Sequence, residues 1–319
     1  MYASNAMGRS RALFNRIIDR MSNRRRFLQY SCAAAVAASV PSAVLAEQVR
    51  QMARRTIPGT DESLAVVGYG NSSAFGEGDM DVSRELMGLF LDYGGSYVDT
   101  SGNGRNTIGT IMRERDAHDQ LFLGTYIAGK DLQSMRDEIA QVLEVQGGGS
   151  LDLVLTRAPI DFGERRDQFQ RLKEDGLTRY LGVGRPNKRF YPPMMDLMND
   201  DALDFVQVNY SIMEPEAADE ILPLAQEREI GVIINRPFIN GSYFGLVSGQ
   251  ELPAWAADFD CESWAQFSLK YILAHPAVNC VLTETSNPKH AIDNMGAGFG
   301  RLPDADERKR MEKVIRALM

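Results

Sequence analysis

The sequence predicts an α/β fold of the (β/α)8 TIM-barrel type, with one extra helix at its C-terminal end. Two observations predict this fold: short apolar runs alternate with helical patterns of period 3.6, and eight such units fit into about 270 residues. A doubly wound sheet is the alternative. It is disfavoured because no Gly-x-Gly-x-x-Gly loop follows the first strand.

The eight predicted strands are almost continuously apolar and are bounded by Gly, Pro, Asp or Asn. This pattern is typical of strands that are buried on both faces. A hairpin-like piece around residues 55–63 precedes them. The predicted strands are Leu64–Gly70, Tyr97–Ser101, Leu121–Ile127, Leu151–Arg157, Tyr180–Gly184, Phe205–Tyr210, Val232–Asn235 and Val278–Thr283.

Amphipathic patterns predict helices between these strands, and the clearest cover residues 84–91, 135–145, 217–228 and 264–274. The extra helix is predicted over Asp304–Leu318, with Asp304 at its N-cap. Its apolar face should pack against the barrel, and this face consists of Met311, Val314, Ile315 and Leu318.

The N-terminal residues predict export. Arg24-Arg25 followed by Phe27-Leu28 opens an apolar stretch that ends in small residues, and this order resembles a twin-arginine signal peptide over residues 21–46. An uncleaved membrane anchor is the alternative, but the apolar run is shorter than the roughly 20 residues that cross a bilayer. We therefore expect a leader over 1–20, cleavage after Ala46, passage through the twin-arginine translocase, a periplasmic location, and a barrel over 47–319.

The charge of the chain after Ala46 argues against a nucleic-acid partner. The first 46 residues hold seven Arg and one acidic residue, which leaves 28 basic and 42 acidic residues and a net charge of −14. Binding to a phosphate backbone needs a basic stripe, which the strongly acidic balance of this part of the chain does not favour. A small-molecule ligand is the expected partner, with no integral membrane span after cleavage.

Cys261 and Cys280 remain after removal of the signal. The predicted fold places one at a helix start and the other in the following strand, which usually separates the Cα atoms beyond the roughly 7 Å that a disulfide tolerates. Two buried free thiols are therefore favoured over a disulfide, although an oxidising compartment permits one.

Several segments of the chain resemble aldo-keto reductases and together cover nearly all of it after the signal. The resemblance lies in Asp99-Thr100-Ser101, Leu123-Gly124-Thr125, Leu151–Leu155, Gly176–Val183, and Thr285–His290 with Asn294. Phe205–Tyr210, Asn235–Phe238 and Ala297–Asp304 are similar to a subgroup of that family that is also made with twin-arginine signals.

The resemblance implies reduction of carbonyls with a nicotinamide cofactor, by an Asp, a Tyr acid, a Lys that lowers the pKa of the Tyr, and a His that orients the carbonyl. Asp99 matches the Asp. A three-residue deletion between Ser101 and Gly102 removes the Tyr, Tyr126 stands at the Lys position, and Arg157 stands at the His position. One of the four catalytic positions is therefore retained.

The cofactor positions that the resemblance implies are also altered. Gly184-Arg185 replaces a Ser-Asn pair that holds the nicotinamide carboxamide, while Gln207 is retained. Glu284 falls near the adenosine 2′-phosphate, where its charge would repel a phosphate and favour NAD over NADP. Asn235 and Arg236 line an anion site or form ordinary barrel-rim structure. The remaining candidate contacts with an adenine nucleotide are Thr285, Ser286, His290 and Asn294. No metal is expected.

Three functional hypotheses follow. Loss of a general acid costs about 10² to 10⁴ in rate and loss of an oxyanion donor about 10² to 10³. The first hypothesis is therefore an exported barrel that is impaired in carbonyl reduction and retains binding of a small ligand or nucleotide, with Arg157 paired to Asp99 in bidentate fashion. The second is an active NAD(P)-dependent oxidoreductase in which Tyr126 donates the proton and Arg157 lowers its pKa. The third is an interaction protein of the cell envelope.

Overall fold

The computed structural model describes residues 51–70, 73–76, 78–184 and 188–319. The predicted leader, signal peptide and cleavage site lie outside the described residues. The first described elements form an antiparallel hairpin of β1 (Arg54–Thr56) and β2 (Ser63–Ala65), in which Arg55 pairs with Leu64. The hairpin that the sequence predicts around residues 55–63 is therefore present.

Eight parallel strands close into a barrel, which confirms the predicted (β/α)8 fold. Each strand pairs with its neighbours in chain order, and the last strand closes the barrel by pairing with the first. The strands are β3 (Val67–Tyr69), β4 (Tyr97–Asp99), β5 (Phe122–Tyr126), β6 (Leu151–Thr156), β7 (Thr178–Gly184), β8 (Phe205–Asn209), β9 (Gly231–Asn235) and β10 (Cys280–Thr283).

The first predicted strand, Leu64–Gly70, is wrong as a single element. Its first residues belong to the hairpin, and the barrel strand begins only at Val67. The chain is redirected at Val66, whose backbone N–H donates to the Ala53 carbonyl at 3.0 Å. The apolar run continues through this position, so the sequence pattern does not indicate the break between the two strands.

Helices surround the barrel, joined by short 3₁₀ turns. They are α1 (Ser73–Gly76), α2 (Met80–Asp92), α3 (Arg105–Arg115), α4 (Leu132–Gln146), α5 (Pro159–Glu164), α6 (Arg166–Glu174), α7 (Tyr191–Asn199), α8 (Ile221–Glu227), α9 (Ser242–Leu246), α10 (Trp264–Leu273), α11 (Pro288–Gly296) and α12 (Ala305–Leu318).

The helix predicted over 217–228 is shorter than expected. A 3₁₀ turn covers Glu216–Ala218, and α8 begins at Ile221. Pro223 explains the late start, because proline has no N–H group and is tolerated only in the first turn of a helix.

The extra C-terminal helix α12 agrees with its prediction. The Asp304 side chain accepts hydrogen bonds from the N–H groups of Asp306 and Glu307. The Asp304 N–H in turn donates to the Glu307 side chain, which completes a capping box. Met311 and Ile315 are buried against the barrel. Cys261 and Cys280 are both buried free thiols.

Alternation along the strands separates two apolar regions. Alternate residues of each strand either face the helices or fill the barrel interior. The interior is a cluster of buried side chains from the barrel strands and the hairpin. At the end of each strand, the side chain two residues beyond an interior residue therefore also faces inward. These interior residues are Ile57, Leu64, Tyr97, Phe122, Tyr126, Leu153, Leu155, Tyr180, Phe205, Ile233, Cys280 and Leu282.

Candidate functional site

The carboxyl ends of the eight strands form a mouth lined by polar side chains. Because interior residues recur every second position, each of these side chains continues the inward face of its strand. This geometry brings together several residues that the sequence predicted on separate strands. The mouth, as we use the word below, comprises Asp99, Tyr126, Arg157, Gln207, Asn209, Asn235 and Glu284.

Asp99 is a buried carboxylate at the end of β4. Its Oδ1 atom accepts hydrogen bonds from the backbone N–H of Ser101 at 2.9 Å and from Ser101 Oγ at 2.5 Å. Burial raises the pKa of Asp99, although these bonds, the charge of Arg157 and a hydrogen bond with Gln207 oppose the shift. The Ser101 hydroxyl therefore contacts the carboxylate directly.

The chain turns sharply after Asp99. Gly102 has a φ of +79°, in the left-handed region that glycine adopts without strain, and α3 begins at Arg105. Residues 100–104 carry no phenol. The connection from β4 to α3 therefore carries no tyrosine.

Tyr126 extends from β5 across the mouth towards β7. A Cβ atom built on Gly184 would lie 1.8 Å from the Tyr126 hydroxyl oxygen, so the phenol takes the space that a side chain at position 184 would fill. Tyr126 is buried, and the Arg157 guanidinium carbon lies 4.1 Å from its ring centroid. The Tyr126 phenol can therefore take this position only because residue 184 is a glycine.

The predicted bidentate pair between Arg157 and Asp99 is wrong. Arg157 is exposed at the rim and stacks on the Tyr126 ring, and within the described residues it forms no ion pair with Asp99. Its charge still acts on Asp99 through space, since it is one of the causes that lower the carboxyl pKa. Asp99 instead obtains its direct hydrogen bonds from Ser101.

Tyr97 is a second phenol in the barrel interior that the sequence analysis missed. It precedes Asp99 by two residues, so both side chains face inward, and period-two counting from Asp99 would have found it. Burial raises the pKa of Tyr97 well above its usual value, and the nearby charges of Asp99 and Tyr126 add to the shift. Its hydroxyl is buried and has no hydrogen-bond partner in the described part of the chain.

Three amide side chains lie at the neighbouring ends of β8 and β9. Gln207 and Asn209 share the inward face of β8, and Asn235 is the register partner of Asn209. The Asn209 amide nitrogen donates to Glu214 Oε2 at 2.7 Å. Gln207 and Asn235 were predicted as cofactor contacts, and Asn209 lies two residues beyond Gln207 on the same inward face.

Glu284 follows β10, and its carboxylate bends into the mouth. A Cβ atom built on Gly70 would lie 2.8 Å from Glu284 Oε1, so the side chain lies over the end of β3. Loss of hydration and the charge of Asp99 raise its pKa. The charge of Asp99 therefore acts on the Glu284 carboxylate at the end of β10.

Three of the predicted adenine-nucleotide contacts, Thr285, Ser286 and His290, lie around the start of α11, and Asn294 lies in its last turn. Asn287 caps this helix by accepting from the Lys289 N–H, and the Thr285 carbonyl accepts from the Tyr69 hydroxyl at 2.5 Å. Ser286 and His290 are exposed, and Asn294 is buried on the same helix. The exposed amides of a helix N-terminus favour anions.

Arg236 and Arg185 complete the predicted set. Arg236 has a φ of +51°, and its Nε atom donates to Asn240 Oδ1 at 3.2 Å, which directs the guanidinium along its own loop. This contact favours the rim-structure interpretation for Arg236. Arg185 lies outside the described residues.

No group of three or more His, Cys, Asp or Glu side chains in the described residues is arranged to hold a metal ion. None of the described helices combines the length and apolar character needed to cross a membrane.

Comparison with known proteins relates this architecture to one family. The model of the Aldo/keto reductase family matches residues 66–316. The uncharacterized oxidoreductase YqkF of Bacillus subtilis is 22% identical, over 84% of this chain and 95% of the relative. The holo form of aldo-keto reductase AKR11C1 from Bacillus halodurans superposes with a TM-score of 0.69 at 20% identity, over 83% of this chain and 96% of that chain.

A Klebsiella pneumoniae aldo/keto reductase solved in complex with NADP and acetate has a similar fold. It superposes with a TM-score of 0.68 at 18% identity, over 81% of this chain and 94% of that chain. The barrel described above is therefore shared with a structure that holds a nicotinamide dinucleotide.

Proposed function

The chain belongs to the aldo/keto reductase family, and from this premise we propose that it binds a small ligand or a nicotinamide nucleotide in the mouth while being impaired in the family's carbonyl reduction. One observation carries the proposal. The Tyr126 hydroxyl lies against Gly184 at the end of β7, and residues 100–104 supply no other phenol. A proton donor at the position that the resemblance implies is therefore missing.

The mouth retains groups that fit a nicotinamide nucleotide. The Gln207 Oε1 atom is buried without a partner in the described chain and can accept from a carboxamide. The Tyr126 hydroxyl occupies the space of a side chain at position 184, the position that the resemblance assigns to binding of the same carboxamide. Thr285, Ser286 and the capped start of α11 suit the adenine end. A bound nicotinamide would supply hydride chemistry. Under this proposal, the described residues of the mouth place no acid to protonate the carbonyl oxygen of the substrate.

Glu284 supports a preference between the two nucleotides. Its carboxylate and that of Asp99 lie in one mouth, and each has a raised pKa. A second phosphate on the nucleotide would add charge of the same sign on this side of the barrel. We expect NADH to bind more tightly than NADPH.

The test is a titration of the purified protein with NADH and NADPH, followed by quenching of Trp255 and Trp264 fluorescence, with turnover of a simple aldehyde measured in parallel. Saturable binding without turnover supports the proposal. Turnover at about 1 s⁻¹ or faster, within the range of ordinary enzymes, contradicts the proposed impairment. Absence of binding by either nucleotide contradicts the nucleotide part.

A second candidate function is favoured by the stacking of Arg157 on Tyr126. A cation over the ring stabilises a phenolate, so Tyr126 would become a stronger acid. In that case Tyr126 is the proton donor of an active reductase. The variant Tyr126→Phe distinguishes the candidates, because it abolishes turnover only if the phenol donates the proton.

We further propose export by the twin-arginine route, on the evidence of residues 21–46. Replacing Arg24 and Arg25 together by Lys should retain the protein in the cytoplasm. Fractionation of cells that express the two forms measures this. Equal amounts of both forms in the periplasm would contradict the proposal.

A further inference from the structure

A cavity of about 370 Å³ lies at the hairpin end of the barrel, opposite the mouth. Three segments enclose it: the hairpin, the connection from α8 to β9 and the connection from α10 to β10. Its volume falls within the range of small-molecule pockets. Its polar lining consists of Arg55, Thr56, Gln226, Glu229 and Asn279.

Two of these polar groups are already engaged by the protein itself. The Arg55 guanidinium donates to three backbone carbonyls at the end of α10 and in the connection to β10. Both atoms of the Asn279 amide are paired with backbone groups. The Glu229 carboxylate differs from both, because it is exposed and forms no ion pair in the part of the chain that the structure describes.

The backbone at Glu229 is also unusual. It follows α8 with a φ of +53°, a helix-end position that Gly or Asn usually takes. Asp116 and Asp201 take the same conformation, but Asp has a short side chain that tolerates it better. Asp201 is also paired, with Arg228 at 4.0 Å. The chain thus keeps a longer, unpaired carboxylate beside the cavity at a position where Gly would fit with less strain.

The charges of the cavity favour a cationic ligand over an anionic one. An anion would be repelled by Glu229, and the N–H groups of Arg55 already serve backbone carbonyls. These carbonyls carry the partial negative charge of the end of α10 and offset the charge of Arg55. An ammonium group would pair with Glu229 and can also donate to the side-chain oxygens of Thr56 and Gln226.

The rest of the lining is apolar. It consists of Pro58, Ile230, Pro276 and Ala277. These side chains offer no hydrogen-bonding group, so they suit the alkyl part of a ligand, which gains by leaving water. The cavity therefore combines one carboxylate with apolar walls.

We propose that this cavity is a binding site for a small primary amine, whose ammonium group pairs with Glu229 and whose alkyl chain packs against Pro58 and Pro276. The site lies at the opposite end of the barrel from the mouth, so the inference does not rest on the proposed function. A bound amine contacts three separate segments of the fold, and its binding should therefore raise the melting temperature.

The experiment is isothermal titration calorimetry of the purified protein with n-butylammonium chloride, sodium butyrate and 1-butanol at matched ionic strength. The three probes have the same chain length and differ in the head group. We expect saturable binding of n-butylammonium and weaker binding of the other two. The affinity for n-butylammonium should fall as sodium chloride is added, because salt screens an exposed ion pair.

Glu229→Gln keeps the size of the side chain and removes its charge. It should weaken n-butylammonium binding by about fivefold, the contribution of one exposed ion pair. Glu227→Gln is the matched control, because Glu227 is exposed at the end of α8 and lies outside the cavity lining. This variant should bind the amine as the unaltered protein does.

Glu229→Gly separates recognition from folding. It should weaken amine binding as Glu229→Gln does, because the carboxylate is lost. It should not lower the midpoint of urea unfolding, because Gly adopts a positive φ without strain. A lowered midpoint together with unchanged amine binding would show that Glu229 serves the fold and not a ligand.

The inference is overturned if n-butylammonium does not bind, or if butyrate or butanol binds as tightly. Equal weakening by Glu229→Gln and Glu227→Gln would also overturn it, since the amine would then follow the general acidity of the surface. If Glu284→Gln weakens the binding and Glu229→Gln does not, the amine binds at the mouth and the inference fails.

Discussion

Two buried asparagine amides, one at each end of the barrel, are paired differently. At the closed end, Asn279 donates to the Thr56 carbonyl at 2.9 Å and accepts from the Val232 N–H at 2.8 Å, so both atoms of its amide are paired. At the mouth, Asn209 donates to Glu214, and its oxygen has no partner in the described chain. The same residue type is satisfied at one end and left incomplete at the other.

Charged groups show the same contrast. Around the hairpin, Arg179 contacts both Glu62 and Asp152, and Asp152 Oδ2 also accepts from the Leu123 N–H at 2.6 Å. In the mouth, burial raises the pKa of both Asp99 and Glu284, and the charge of Asp99 adds to the shift at Glu284. The hairpin end is thus built for stability, and the mouth retains unsatisfied groups that a ligand can use.

The largest expected effect comes from removing a cation at the closed end. The Arg55 guanidinium donates to the carbonyls of Leu273, His275 and Val278, which join α10 to β10. Arg55→Ala would leave these carbonyls without donors and should lower the free energy of unfolding by about 3 to 5 kcal/mol. Urea unfolding followed by circular dichroism measures the loss.

Arg54 is the matched control for Arg55. It is exposed on the same strand and donates to Ser63 within the hairpin. Arg54→Ala should cost below about 1 kcal/mol. Equal losses in the two variants would show that the closed end does not depend on the carbonyls bound by Arg55.

Crowding at the mouth gives the next largest effect. Gly184→Ala would place a Cβ atom 1.8 Å from the Tyr126 hydroxyl oxygen and should destabilise the protein by about 1 to 3 kcal/mol. In the double variant with Tyr126→Leu, the shorter side chain should relieve the clash, so the two losses should not add. Additive losses in urea unfolding would mean that Tyr126 does not lie against Gly184.

The fold could be predicted from the sequence far better than the contacts of the mouth. Strands such as Leu151–Thr156 are apolar on both faces, and Asp304 with Glu307 is a local capping pattern, so both leave periodic or short-range signals. The choice of Arg157 between Asp99 and Tyr126 depends on side-chain direction across three strands. No local sequence pattern indicates which of the two residues Arg157 contacts, and the predicted pair with Asp99 was wrong.

His275 gives the closed end a pH dependence. Burial, together with the charges of Arg308 and Arg55, lowers the pKa of His275 to about 4. The unfolded chain titrates near the ordinary value of about 6.5, so stability is complete above that pH and is lost as the pH falls towards 4. Since His275 is only half-buried, the loss should be about 1 to 2 kcal/mol.

His275→Gln tests this assignment. Gln cannot take up the proton, so the variant should lose less stability than the unaltered protein between pH 6.5 and pH 4. Thermal unfolding across this range measures the difference. Parallel curves for the two proteins would show that the imidazole is not held neutral by its surroundings.

The smallest expected effect is a gain of stability at the mouth. A raised folded-state pKa for Glu284 means that the folded protein binds its proton more tightly than the unfolded chain does, so this carboxyl opposes folding once it is ionised. Glu284→Gln should therefore raise the free energy of unfolding at pH 7 to 8 by less than about 1 kcal/mol, because the side chain is largely exposed to solvent, and the melting temperature should rise with it. The gain should disappear below pH 4, where the carboxyl is protonated in both states.

The same charge removal at Glu62, which receives hydrogen bonds from Arg179 and Tyr180, should lower the melting temperature instead. A loss at both positions would mean that the mouth stabilises its carboxylates as the closed end does, and the contrast between the two ends would not hold.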